Sequence, residues 1–134
     1  AEALDALTTG GENVAMGVGA LGSITTQNSN VAIGGYAGTS IAGSDSIDNV
    51  IIGNYTGTGG SGALKRSIAI GKNALNSTGT ADVIGAIAIG YNALTAANNT
   101  NIDYSVAIGY SALEQIQSGQ HNVGIGFQAL TSTR

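Results

Sequence analysis

One five-residue phrase recurs along the whole chain, and it constrains the fold more than any other feature. The phrase is Asn, Ser or Ala, then Val or Ile, a usually small residue, Met or Ile, and Gly. Its copies run Asn13 to Gly17, Asn30 to Gly34, Asn49 to Gly53, Ser67 to Gly71, Ala86 to Gly90, Ser105 to Gly109 and Asn122 to Gly126. The closing glycines are 17, 19, 18, 19, 19 and 17 residues apart. A period that short implies stacked copies of one supersecondary unit. The chain therefore reads as all-β, a parallel β-solenoid or β-roll of seven 17–19-residue repeats.

Within the phrase, Val14, Ala15 and Met16 and most of their equivalents alternate large, small, large. That is the period of a strand, and Val and Ile fit a pleated surface. The large residues, Ile89 and Ile108 among them, are expected to point inward. The small middle residue is expected on the opposite face, where a stripe of Ala suggests close approach of a neighbouring chain. Past most corner glycines comes Ala-Leu, as in Ala20-Leu21, Ala74-Leu75, Ala93-Leu94, Ala112-Leu113 and Ala129-Leu130. Two repeats relax it to Ala37-Gly38 and Thr56-Gly57. This reads as a second short apolar segment, followed by a loop of Ser, Thr, Asn and Gly. Leu4 stands before Gly17 as Leu113 stands before Gly126. On that register residues 1–134 are expected to be a single repeat array, a segment of a longer chain cut in mid-repeat at both ends.

Composition narrows the function. With 22 Gly but 43% hydrophobic residues recurring in phase, the chain reads as an ordered array and not as a disordered tail. It has no Cys, which excludes disulfides and thiolate metal sites. Net charge is −4, and the basic residues are Lys65, Arg66, Lys72 and Arg134. No basic stripe exists for nucleic acid. No apolar run approaches the length that spans a membrane as a helix, so membrane insertion is not expected. Each unit buries few large side chains, at roughly 1.5–3 kcal/mol each. Ordering a residue costs about 1–2 kcal/mol. Burial shared with neighbouring coils, and with other chains, is therefore expected.

The segments Ala86 to Leu94 and Ser105 to Leu113 resemble the repeat of many phage tail-fibre proteins. The core phrase is also similar to the repeat in the head domains of trimeric autotransporter adhesins. The resemblance implies a left-handed parallel β-roll in a homotrimer. It further implies a structural and adhesive segment of a tail fibre, cut from a longer fibre protein, which projects to or recognises the host cell surface. The location implied is a virion tail or an extracellular surface. The partners implied are further copies of the chain and a host surface glycan or protein. Adhesin heads favour repeats of about 14 residues, still one unit per coil. The longer unit followed by Ala-Leu favours the tail-fibre reading, with the adhesin head as the alternative.

Motifs that could carry chemistry have simpler explanations. Gly57 to Gly62 matches the dinucleotide fingerprint by letter, but the next strand begins at once and leaves no room for a helix. Asp45, Asp48 and Asn49 could offer oxygens to a cation, yet Asp at such a corner commonly bonds its own backbone. His121, the only histidine, has no Ser or Asp at a recognisable spacing. Glu2, Asp5, Glu12, Asp82, Asp103 and Glu114 are scattered, so no acid–base pair is expected. Tyr91, Tyr110 and Phe127 directly follow corner glycines, and Tyr36 and Tyr55 lie one residue later. They could stack on sugar rings, or form a ladder that packs coil on coil or chain on chain. Thr56 and Thr58, Thr78 and Thr80, and Thr131 and Thr133 do not recur at one place in the repeat, as an ice-matching face requires. No enzyme activity, cofactor, metal or catalytic residue is expected.

Overall fold

The structure is a computed structural model that describes residues 2–41, 43–76, 79–95, 101–116 and 119–131. Thr78, Ser132, Thr133, Arg134 and residues 96–100 lie outside the described residues, so two of the three Thr-x-Thr motifs cannot be placed in full. Nine short strands form among the described residues. They are β1 (Val14–Met16), β2 (Val31–Ile33), β3 (Val50–Ile52), β4 (Leu64–Lys65), β5 (Ile68–Ile70), β6 (Val83–Ile84), β7 (Ile87–Ile89), β8 (Val106–Ile108) and β9 (Val123–Ile125). Among the described residues there is no helix.

The phrase forms the main sheet, seven parallel strands in the order β1-β2-β3-β5-β7-β8-β9. Equivalent residues pair, so Val14 stands against Val31 and Ala88 against Ala107. β4 and β6 make a second, two-stranded parallel sheet. The hydrogen-bond ladder continues around the corners. Gly34 N–H donates to the Met16 carbonyl at 2.7 Å, and Leu21 N–H to the Ala37 carbonyl at 2.9 Å. The chain is thus an all-β solenoid of stacked coils, and every coil can pair this way because no Pro removes an N–H.

The expected orientation of the strands is reversed. The small middle residues point inward: Ala32, Ala69, Ala88 and Ala107 are fully buried. The flanking Val and Ile face out, half-buried in the middle strands and exposed at β1 and β9. The Ala stripe therefore faces no neighbouring chain. Alternation says that two faces differ, not which one is inside. What decides it is the corner Leu. Leu21, Leu75, Leu94 and Leu113 are fully buried and occupy the interior that the strand leaves to Ala. Ala-Leu forms a turn and not a second strand, and each Leu is left-handed, with φ of 50–54°. That conformation costs roughly 1–2 kcal/mol, offset by about 1.5–3 kcal/mol from burying the side chain.

The corner glycines stack on each other. Gly71 has φ of +123°, and a Cβ built there would lie 2.7 Å from the Gly90 carbonyl oxygen. Backbone meets backbone, with no side chain able to yield, so only glycine fits.

A polar ladder runs inside the coils at the position before the strands of the main sheet, where every residue but Ala86 is Asn or Ser. Asn49 Nδ2 donates to Asn30 Oδ1 at 2.8 Å and to the Leu64 carbonyl at 2.6 Å. Asn49 Oδ1 accepts the Ser67 N–H at 3.0 Å, and Ser67 Oγ accepts the Ala86 N–H at 3.2 Å. The amides satisfy backbone groups that a narrow interior would otherwise bury without partners.

Candidate functional surface

The outward face of the main sheet is apolar along its length. One row is Val14, Val31, Val50, Ile68, Ile87, Val106 and Val123. The other is Met16, Ile33, Ile52, Ile70, Ile89, Ile108 and Ile125. Neither row contains a charge. At the ends the exposure is large, 65% at both Met16 and Ile125. A contiguous outward apolar strip of this kind marks a contact surface more often than a free one.

Two aromatic ladders flank the corners. Tyr36 stacks on Tyr55 with centroids 5.0 Å apart. Tyr91 stacks on Tyr110 at 5.1 Å, and Tyr110 on Phe127 at 5.4 Å. Ring lies on ring from coil to coil, as the packing alternative expects. Face-to-face stacking covers the surfaces a sugar ring would need, so the ladders offer mainly ring edges.

His121 is exposed, left-handed at φ 61°, and stacked on Tyr104 at 5.3 Å. Tyr104 in turn lies over Gly85, whose added Cβ would meet the ring at 2.8 Å. No hydroxyl or carboxylate is hydrogen-bonded to the imidazole among the described residues. Asp48 is exposed at a left-handed corner, φ 58°. Among the described residues no three His, Cys, Asp or Glu side chains come together as metal ligands would. Gly57 to Gly62 passes without a helix into β4, so the fingerprint lacks its phosphate-binding element. No helix among the described residues is long and apolar enough to cross a membrane.

Sequence reasoning did not find the charge clamp. Lys65 Nζ lies 3.3 Å from Asp82 and 3.4 Å from Asp45, bridging three successive coils. The hydrogen bond to Asp82 raises the Lys65 pKa. Asp82 is lowered, first by the Ala63 N–H that its carboxylate accepts at 2.8 Å, then by Lys65. The signal was present: Asp45 and Asp82 both stand five residues before a strand of the main sheet, and Lys65 three before the strand between them. Only stacking of the coils brings them together.

No protein-family model, curated protein or solved structure matches this chain.

Proposed function

We propose that this chain is a structural and adhesive segment of a phage tail fibre, built of seven coils of 17–19 residues and used as a homotrimer. Its work is to hold or present a host-contacting part at a fixed distance on a virion tail or other extracellular surface, without catalysis. The observation that carries the reading is the unbroken backbone ladder around corner and strand, which makes the segment stiff along its axis. The uncharged outward strip supports association with further copies, since each chain leaves that strip without a partner of its own. The repeat resemblance supplies the number three and the left hand.

Size-exclusion chromatography with light scattering tests it. The native segment is expected at three times the chain mass. Ile89→Asp and Ile108→Asp, being outward, are expected to keep the β-type circular dichroism spectrum and run as monomers. A native monomer would overturn the homotrimer. A trimer that binds an animal matrix protein instead of a bacterial surface would favour the adhesin head.

A further inference from the structure

We infer that the outward strip docks further copies of this same chain with a graded grip, tightest along β7, β8 and β9. The inference rests on the homo-oligomer reading above and adds where the contact is strongest.

The occupant follows from repeat and area. Strands in a sheet are spaced about 4.8 Å apart, so seven span about 29 Å. A partner that fills every interval along that length needs the same axial repeat, and a second copy has it. A charged partner would gain nothing from two rows without a charge. The rows alone are thin. Residues two apart in a strand are about 7 Å apart. A strip of that width has a footprint of a few hundred Å², on the order of half or less of the ~800 Å² per partner in a standard stable interface. More contact surface is needed.

A third row supplies it, unevenly. Two residues beyond Ile89, Ile108 and Ile125 stand Tyr91, Tyr110 and Phe127, exposed by 41, 49 and 72%. Their stacking holds the rings as one rigid band beside the strip. Rigid aromatic groups are the strongest anchors at interfaces, because little rotamer freedom is lost on docking. The same position beside β3 and β5 carries Asn54 and Lys72, both exposed. Beside β2 it is Gly35, and beside β1 it is Val18, exposed and apolar but without a ring to stack. The adhesive strip is therefore three rows wide over β7 to β9 and essentially two over β2 to β5.

The test compares dissociation of the native segment with that of three variants by sedimentation across a dilution series. Removing the band (Tyr91→Ser, Tyr110→Ser and Phe127→Ser together) is expected to raise the dissociation constant at least about tenfold. Tyr36→Ser with Tyr55→Ser removes a stacked pair outside the band and is expected to change it less than about twofold, as for near-neutral positions. Lys72→Tyr extends the band by one coil and is expected to tighten assembly several-fold. That variant removes no packing, so its result does not depend on a damaged fold. Equal effects of the two serine variants, or no tightening by Lys72→Tyr, would overturn the grading. A glycan bound by the native band and lost in the triple variant, with assembly unchanged, would overturn it too. A native segment that is already monomeric fails the homo-oligomer reading itself and is recognised before any variant is made.

Discussion

The coil around β3 and the coils around β8 fill the same interior with opposite choices. Around β8 the strand contributes Ala107 and the corners contribute Leu94 and Leu113. At β3 the strand contributes Ile51, fully buried, and the corners are Gly38 and Gly57. A Cβ on Gly57 would stand 3.0 Å from Ile51 Cγ2, and one on Gly38 would stand 3.0 Å from Ile51 Cδ1. The two relaxed Ala-Leu motifs are thus a compensation. The large side chain moved from the corner to the strand, and the corner gave up its own. At β9 the trade runs further: Leu113 stands where Gly124 would carry a Cβ, 2.9 Å away. Between the β3 and β8 coils the large interior side chain is retained, and the position that supplies it is not.

The largest effect belongs to the contact that neither arrangement can change. Gly71→Val is expected to prevent folding, seen as loss of the β-type circular dichroism spectrum, because its Cβ meets the Gly90 backbone. Gly126 has the same left-handed φ but nothing within 4 Å of an added Cβ. Gly126→Ala is expected to fold with only the conformational penalty, about 1–3 kcal/mol in urea unfolding. Equal losses at both positions would show that φ, and not stacking, dictates the glycine.

The compensation itself comes next. Ile51→Ala is expected to lose about 2–5 kcal/mol by leaving a cavity. Gly57→Leu is expected to lose about 1–3 kcal/mol by overpacking. The double variant rebuilds the arrangement of the β8 coil and is expected to lose less than the sum by at least about 1 kcal/mol. Additive losses in denaturant titrations would break the comparison.

The polar ladder distinguishes the same regions a third way. Asn49→Ala leaves the Leu64 carbonyl and the Ser67 N–H without their amide partner. A loss of about 1–3 kcal/mol is expected from the unsatisfied buried groups. Ala86 already occupies the equivalent position before β7, where Ser105 N–H donates to the Ile102 carbonyl at 3.1 Å instead. Ala86→Ser is therefore expected to leave the melting temperature nearly unchanged.

The smallest effect is at the clamp. Asp82 is lowered in the fold, so its contribution is present above the ordinary carboxylate pKa and fades as pH falls through the lowered value. Lys65 is raised, so its contribution is present below the ordinary lysine pKa and fades as pH rises through the raised value. Exposed pairs contribute little, and salt screens them. Lys65→Met is expected to lower the melting temperature slightly at neutral pH and low salt. The difference should vanish in acid that protonates Asp82.

Much of the fold was legible because the phrase is both periodic and chemically narrow. The seven strands of the main sheet fall where Val14, Val31 and their equivalents placed them, and the corner glycines stack as their spacing implied. The inward face was misread because a large residue is ordinarily the buried one, and a shift of one residue exchanges the two faces. A correction was available in the letters. Ile replaces Ala at 51 only where Gly replaces Leu at 38 and 57, which is the signature of residues sharing one space. β4, β6 and the Lys65 clamp were missed for a different reason. They lie outside the phrase, in the variable stretch whose pairing exists only once the coils are in register.

The stacked corner glycines also have a consequence for how such a segment changes length. Their contact is main chain on main chain, so each added unit advances the axis by one strand spacing, about 4.8 Å, whatever side chains it carries. Tandem duplication or deletion of a single unit would then lengthen or shorten the rod by one calibrated step, and in nearest-neighbour architectures it disturbs only the coils on either side. Reach, on this design, is written as a count of units, and can be revised by recombination between copies without renegotiating the core.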